Sequence, residues 1–244
     1  MIVYPTDWYR CYEELANDFD GEFNKDYIVE SFIEKLMDVL KQINVNHLAY
    51  SGGVDSTILL CLLTKIFDKV NTYTIAAVST HKDIDFARFG SAFFDSNHRE
   101  FIVQPTKVDT DKFIGDNAVR QLYENVSDFT DELICGDGID EFMCGYHRHK
   151  DLEFGTYKYF LSDLLDGHLI PLEFNSGSVK VYLPYLNGGM IDLYKRIPLN
   201  AKVDRENRKK IISAVADKLG IPWTIIYRHK YGFADAFLLE EKSQ

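Results

Sequence analysis

The chain has 244 residues, 46% of them hydrophobic, which suits one α/β domain or a core domain with a small helical extension. The formal net charge of −11 disfavours broad binding to nucleic acid backbones, although residues 205–210 form a local basic patch. No apolar run approaches the roughly 20 residues of a membrane span, and no signal peptide is recognisable. The four cysteines include no C-x-x-C pair, so reduced thiols in a cytoplasmic protein are expected and zinc is not.

The first part of the chain alternates between extended and helical patterns. Residues 1–25 have no clear period and are expected to form a surface arm, whereas residues 26–45 show helical spacing of apolar residues. Four apolar runs predict strands, at residues 47–50, 70–78, 99–103 and 133–135. Three helical patterns lie between them. The first ends near residue 67, and the other two cover residues 83–97 and 111–127. This alternation predicts an open, mostly parallel twisted sheet with helices on both faces.

After about residue 150 the pattern changes. Residues 155–165 and 205–219 are predicted to be helical, while residues 178–183 fit either a strand or an extended loop. A helical second half is therefore expected to pack on the sheet edge, where it would complete a ligand-binding site. The chain is accordingly divided into three parts: an arm and helix at residues 1–45, a core built on the sheet at residues 46–150 and a mainly helical part at residues 151–244.

The segment Ser51-Gly52-Gly53-Val54-Asp55-Ser56-Thr57 links the first of the four predicted strands to a helix. A tight turn of this kind aims unpaired backbone N–H groups and a helix N-terminus at one point, which suits an anion. Glycines let the backbone approach a phosphate, and the hydroxyls add donors. An ordinary capped helix start is the alternative, but three hydroxyls and an acid around two glycines favour phosphate binding. The lysine of a P-loop and a G-x-G-x-x-G fingerprint are both missing from this segment.

A second glycine turn, Gly136-Asp137-Gly138-Ile139-Asp140-Glu141, follows the last of the four strands. Three acids within five positions are costly to gather unless they are solvated, paired or bound to a cation. The alternative is an acidic first turn of a helix, which the helix dipole favours. Because ligands of open parallel sheets bind beyond the carboxyl ends of the strands, both turns belong on one edge. Asp55 and Asp140 could therefore hold Mg²⁺ together with substrate phosphates.

These segments resemble the motifs of a known enzyme group. Ser51 to Ser56 is similar to the pyrophosphate loop (PP-loop), SGG-x-DS, of the ATP pyrophosphatases, and Gly136 to Tyr146 matches the G-[DE]-G-x-DE-x-x-x-GY segment of the asparagine synthetase family without gaps. The late segment Arg228-His229-Lys230-Tyr231-Gly232-Phe233 is similar to that family's R-x-K-x-GF. Leu183-Pro184-Tyr185-Leu186-Asn187 resembles its P-F-L-D element, with Tyr and Asn replacing Phe and Asp. The chain therefore resembles the synthetase domain of asparagine synthetase and relatives such as β-lactam synthetase.

The resemblance implies an adenine nucleotide alpha hydrolase-like fold and an ATP-dependent amide-forming ligase. A substrate carboxylate would attack the α-phosphate of ATP, releasing pyrophosphate, and ammonia or an amine would then displace AMP. The residues expected to bind ATP are Tyr50, Ser51, Gly52, Gly53, Asp55, Ser56, Thr57, Val78, Gly136 and Asp137, with the backbone near Tyr50 and Val78 at the adenine. Asp55 and Asp140 would ligate Mg²⁺. Lys230 would stabilise charge at the α-phosphate, Arg228 would contact phosphate or pair with an acid, and Glu141 would orient the amine or take its proton.

Two other functions stay open at this point. One is a PP-loop enzyme that adenylates a nucleotide or tRNA base for sulfur or nitrogen insertion, and the other is a non-catalytic ATP-binding protein. Glutamine-dependent asparagine synthetases begin with a glutaminase domain whose nucleophile is a cysteine after the initiator Met, whereas position 2 here is Ile2. No glutaminase domain is expected in this chain, and a separate glutaminase subunit or free ammonia would supply nitrogen. The acid that is activated and a homo-oligomeric state are not fixed by the sequence.

Overall fold

The computed structural model describes residues 1–3, 17–106 and 114–228, whose fold centres on one sheet. Its six strands, all parallel, are β1 (Ile2–Val3), β2 (His47–Ala49), β3 (Asn71–Ala76), β4 (Asn97–Ile102), β5 (Glu132–Ile134) and β6 (Lys180–Tyr182). Their order is β1-β6-β5-β2-β3-β4. The chain moves outward from β2 to β4 and then returns to β5, so the switch point lies between β2 and β5. The predicted open parallel sheet is confirmed.

Helices account for most of the remaining described chain. In order they are α1 (Lys25–Ile43), α2 (Val54–Leu63), α3 (Lys82–Phe93), α4 (Ile114–Val126), α5 (Ile139–Phe142), α6 (Phe154–Asp163), α7 (Ile170–Asn175), α8 (Gly188–Tyr194), α9 (Leu199–Lys202), α10 (Lys210–Lys218) and α11 (Trp223–Ile226). A π-helical turn, Leu164–Leu169, joins α6 to α7, and 3₁₀ turns occupy His147–Asp151 and Pro184–Leu186. In the part of the chain that the structure describes, no helix is both long and apolar enough to cross a bilayer.

Helix α2 is the central helix of the fold. All of its residues from Asp55 to Leu63 are buried, and it contacts α1, α10 and α11. On the other side of the sheet, α4 contacts β3 and α7. A helix that is apolar all round is stable only inside a protein, which explains why residues 58–63 lack an amphipathic pattern. The burial of α2 holds the glycine loop that precedes it against the sheet edge.

The structure differs from the expectations at both ends of the described chain. Residues 178–183, left open between strand and loop, contain β6, which pairs with β5 and β1. The start of the expected surface arm is a sheet strand, since Ile2 pairs with Val181 and the Met1 amino group donates to Ser176 Oγ at 2.8 Å. Two residues are too few to show an alternating pattern. The helix expected over residues 205–219 begins only at Lys210.

Candidate active site

The two glycine turns lie side by side at the switch point of the sheet. The first connects β2 to α2, and the second connects β5 to α5. A cavity of about 560 Å³ opens between them. Its lining includes eight residues from the two turns: Ser51, Asp55, Ser56, Gly136, Asp137, Gly138, Asp140 and Glu141. This placement beyond the carboxyl ends of β2 and β5 is where open parallel sheets bind their ligands.

The first turn has the geometry of an anion-binding loop. Gly52 adopts φ +65°, and a Cβ there would lie 2.5 Å from the backbone N of Ala87, so the turn requires glycine. Gly53 caps α2, and no described side chain caps the helix there. The first N–H groups of α2 are therefore available to a ligand at the positive end of the helix dipole. The hydroxyls of Ser51 and Ser56 lie 3.3 Å apart beside them.

Lys209 joins the acids of the two turns. Its Nζ lies 2.6 Å from Oδ2 of Asp55 and also contacts Oδ1 of Asp140, and all three side chains are largely buried. Two carboxylates this close repel each other unless a cation lies between them. The other oxygen of Asp55, Oδ1, is buried and has no hydrogen-bond partner among the described residues. This unpaired oxygen and the converging carboxylates fit a divalent cation, because Mg²⁺ binds through one or two carboxylates plus phosphates.

Arg228 braces the first turn from the opposite side. Only 2% of its side chain is exposed, and its guanidinium pairs with Asp83 of α3. Nη2 also donates to the carbonyl of Ser51 at 3.1 Å, and the ring of Phe86 lies 4.8 Å from the guanidinium carbon. Of the two roles expected for Arg228, pairing with an acid is the one that the structure contains. A buried arginine that bonds both an acid and a loop carbonyl fixes the position of the loop backbone.

The second turn places a buried acid beside a tyrosine. Gly138 adopts φ +89°, and a Cβ at this position would collide with Leu186, so only glycine allows the turn to pack here. Glu141 is 3% exposed. The hydroxyl of Tyr146 donates to its Oε1 at 2.5 Å, while Oε2 has no partner among the described residues. Burial raises the pKa of Glu141, nearby His168 opposes this, and Asp140 adds to it. A buried carboxyl group with a raised pKa is a candidate for proton transfer.

Comparison with protein families matches residues 48–168, about half of the chain, to the model described as asparagine synthase. Residues 48–168 form a domain of the asparagine synthase family. Among solved structures, the chain is similar to the NMN synthetase from Francisella tularensis, with a TM-score of 0.48 and 14% identity over 86% of this chain and 76% of that chain. Comparison with curated proteins gives no match.

The asparagine synthase domain contains both glycine turns and ends at His168. Its presence supports an ATP-using enzyme of the amide-forming or adenylating kind. Lys209 and Arg228, which hold the two turns in place, come from the chain beyond the matched segment. The site therefore combines a family domain with residues of the C-terminal half.

Several of the residues expected at the site do not reach the cavity. Thr57 is fully buried and donates to the carbonyl of Gly53 at 2.8 Å, and the ring of Tyr50 packs beneath it with its hydroxyl 3.1 Å from Thr57 Oγ1. Val78 is 41% exposed and is not among the described residues that line the cavity. Lys230, with the rest of residues 229–233, lies outside the described residues. The structure brings Arg228 to the loop and Glu141 to the cavity.

Three residues at the site had no role in the sequence analysis. Lys209 belongs to the basic patch at residues 205–210, but nothing in its neighbourhood indicates its contact with Asp55, 154 positions away. Tyr146 ends the second motif, and its hydroxyl is the feature of the sequence that could have predicted a hydrogen-bond donor for Glu141. His168 lies in the π-helical turn with Nε2 2.9 Å from Oδ1 of Asp137. No sequence signal predicts a π-helical turn.

Proposed function

We propose that the chain is an ATP-dependent ligase that adenylates a carboxylate and transfers ammonia or an amine to the activated acid. The observation that carries this proposal is the meeting of Asp55 and Asp140 around Lys209, next to the Glu141–Tyr146 pair in one cavity. The Asp55–Asp140–Lys209 cluster is suited to bind a pyrophosphate, and the Glu141–Tyr146 pair is suited to accept a proton from the attacking amine. Both are needed for this reaction, whereas ATP binding alone needs only the first.

The pyrophosphate end of ATP would bind at the first turn. The N-terminus of α2 and the hydroxyl of Ser51 would supply donors for its oxygens. The hydroxyl of Ser56, which donates to the Gly53 carbonyl at 3.2 Å, would have to rotate to do the same. Asp55 and Asp140 would hold Mg²⁺, whose charge would neutralise the leaving pyrophosphate. The ammonium group of Lys209 lies at the same point and is placed to bond a phosphate oxygen once the carboxylates have another partner.

In the first step an oxygen of the substrate carboxylate would form a bond to the α-phosphorus, and the bond to the pyrophosphate oxygen would break. Preorganised donors around the leaving group favour this step because negative charge builds up on it. Lys230 is proposed as the cation at the α-phosphate, because residues 228–233 are similar to the R-x-K-x-GF segment of the asparagine synthetase family.

In the second step the nitrogen of ammonia or an amine would attack the acyl carbon, and the bond to AMP would break. The nitrogen must lose a proton as the C–N bond forms. Glu141 is proposed to accept it, because its Oε2 has no partner among the described residues and a raised pKa makes the carboxylate a stronger base. Tyr146 keeps the carboxylate oriented through Oε1.

The test is acid-dependent exchange of labelled pyrophosphate into ATP, measured over a panel of small carboxylic acids, followed by AMP and amide formation when ammonia is added. The wild-type protein is expected to show exchange with at least one acid, and Asp140→Asn is expected to abolish it. Asp192→Asn, which changes an exposed acid on α8, is the matched control. Lys230→Ala is expected to abolish exchange but not ATP binding.

Two outcomes would favour the other functions. Product formation that requires tRNA or a nucleotide in place of a small acid would support base modification. ATP binding without AMP under any condition would support a non-catalytic ATP-binding protein. Amide formation from glutamine that occurs only when a second protein is present would identify a separate glutaminase subunit.

A further inference from the structure

The cavity extends past the two glycine turns into a space between α4 and α7. Its walls there are the apolar side chains of Val119, Leu122 and Leu172. Four polar residues interrupt this apolar lining: Asp116 and Tyr123 of α4, His168 and Asn175. Cavities that bind small molecules have this character, because apolar walls hold the body of the ligand and a few polar groups fix its orientation.

Asn175 is the polar residue at the end of α7. It is 6% exposed and lines the cavity, and no described residue forms a hydrogen bond with its side chain. Its carboxamide atoms are not among the buried atoms that lack a partner, so they reach the cavity surface. A bound molecule can therefore form hydrogen bonds with this amide in place of solvent.

His168 is brought to the cavity by an irregular backbone. It lies in the π-helical turn Leu164–Leu169, and such turns are frequent at functional sites because the extra residue changes which side chains face inward. Asp137 holds its Nε2, no described residue bonds its Nδ1, and 39% of the side chain is accessible. One N–H of the ring is therefore free to donate to a ligand.

Electrostatics determine what this space can bind. Asp55 and Asp140 share Lys209, and Asp83 pairs with Arg228, so those cations are already engaged. On the α4–α7 side of the cavity, His168 is the one basic side chain among the described lining residues. Burial alone would lower the pKa of His168, but Asp137, Glu141 and Asp140 together raise it to about 9, so the ring is charged at neutral pH. An anionic ligand that enters an otherwise acidic cavity needs such a group.

We propose that His168 and Asn175 form the subsite for the carboxylate of the acid substrate, with His168 Nδ1–H and the Asn175 amide donating to its oxygens. The walls formed by Val119, Leu122 and Leu172 select an acid with an uncharged, mainly apolar chain over a basic or phosphorylated one. This inference rests on the proposed ligase function, because it names the substrate class of the same cavity. Asp137 acts through His168 as a positioning residue.

The test measures binding separately from turnover. Butyrate, succinate and butylamine are titrated calorimetrically into wild-type protein and His168→Gln, with a non-hydrolysable ATP analogue and Mg²⁺ present. Butyrate is expected to bind the wild type, butylamine is not, and His168→Gln is expected to weaken butyrate binding by about 10- to 100-fold, the loss of one charged hydrogen bond. The affinity of the analogue and the Tm should be unchanged. His147→Gln, which changes an exposed histidine, is the matched control.

A pH series adds a readout that a purely structural role would not change. Butyrate affinity in the wild type should fall above about pH 9, where His168 loses its proton while facing Asp137, Glu141 and Asp140, and His168→Gln should lack this fall. Equal butyrate binding by both proteins, no saturable binding of butyrate, or tighter binding of succinate than of butyrate would overturn the subsite. Pyrophosphate exchange that is unaffected by His168→Gln would refute the subsite and leave the ligase function intact. Butyrate binding that depends on His168, without pyrophosphate exchange, would support the subsite and refute the ligase function.

Discussion

The ammonium group of Lys209 lies 2.6 Å from a carboxylate oxygen of Asp55, in a largely buried position that it shares with Asp140. Lys209 precedes α10 and has the left-handed backbone conformation, φ +54°, which is unfavourable for a residue with a side chain. The contact joins the C-terminal half of the chain to the PP-loop. It neutralises the two acids at the point where a divalent cation would bind.

Replacing Lys209 by methionine is therefore expected to have opposite effects on stability and on metal affinity. Without metal, Lys209→Met should lose about 3 kcal/mol of unfolding free energy, because two largely buried carboxylates lose their counter-ion. Mg²⁺ without nucleotide should bind the variant roughly tenfold more tightly than the wild type, since no internal cation competes. Urea unfolding and calorimetric titration with Mg²⁺ measure the two effects.

The neighbouring lysine provides the control for Lys209. Lys210 pairs with Asp204 at 3.1 Å on an accessible surface, so Lys210→Met should cost less than about 1 kcal/mol and leave Mg²⁺ affinity unchanged. Weaker Mg²⁺ binding by Lys209→Met than by the wild type would contradict competition between the lysine and the metal.

Arg228 is expected to be essential for the shape of the loop. Arg228→Met removes the partner of Asp83 and the donor to Ser51, both in a buried setting, and should lower the unfolding free energy by about 3–5 kcal/mol. ATP affinity should fall as well, because the loop backbone loses its brace. Arg228→Lys should recover only part of either quantity, since a lysine cannot bond both groups in the geometry of a guanidinium. The control is Arg205→Met, which changes an exposed arginine. Unchanged ATP affinity in Arg228→Met would show that the brace is dispensable.

The sequence was sufficient to predict the parts of the site that follow strands directly. The runs before Ser51 and Gly136 are short and apolar because parallel strands are covered on both faces, and the glycine turns follow them without a gap. Both turns meet at one sheet edge as a consequence of topology alone.

Contacts between distant parts of the chain could not be predicted in the same way. Lys209 reaches Asp55 across 154 positions, and its run of basic residues is equally compatible with an exposed patch. Thr57 illustrates the opposite error: its hydroxyl suggested a phosphate donor, but the first turn of α2 directs it to the carbonyl of Gly53. Side-chain direction on a helix depends on which face is buried, and α2 is buried on all faces.

Tyr146 is expected to tune the base rather than to bind ATP. Its hydrogen bond favours the ionised form of Glu141, so Tyr146→Phe should raise the pKa of that carboxyl further above its ordinary value. The rise of amide formation with pH should therefore shift to higher pH in the variant, and the rate at pH 7 should fall by about tenfold, the effect of one hydrogen bond to a charged group. Pyrophosphate exchange should be unaffected. A pH–rate profile of the amide-forming step checks the shift, and a loss of exchange equal to the loss of amide would contradict the assignment.

Gly52 is expected to tolerate no side chain. Gly52→Ala places a Cβ at φ +65° and against the backbone of Ala87, so it should cost at least about 1–2 kcal/mol of unfolding free energy and weaken ATP binding. Gly155→Ala is a matched control on the exposed face of α6, where a Cβ meets nothing within 4 Å. This change should stabilise the protein by about 0.5–1 kcal/mol. Thermal unfolding and ATP titration of both variants measure the difference, and equal effects would rule out the strained turn.

Lys202 is expected to destabilise the fold at neutral pH. Its side chain is buried, its Nζ donates to the Tyr157 hydroxyl at 2.7 Å, and burial lowers its pKa from 10.5 to about 8 although Cys144 and Asp18 oppose the shift. Between about pH 8 and 10.5 the unfolded chain therefore keeps a proton that the folded protein has lost, so stability rises with pH through this window. The penalty at pH 7 is about 3 kcal/mol.

Lys202→Met removes this charge and should be more stable than the wild type at pH 7, by less than the full penalty because the bond to Tyr157 is lost too. The advantage should shrink as the pH rises through 10.5, because the lysine becomes neutral in both states only above this pH. Urea unfolding of both proteins at pH 7 and 10 measures it, with Lys41→Met, an exposed lysine, as the control. An advantage that does not change with pH would show that packing, and not the buried charge, is responsible.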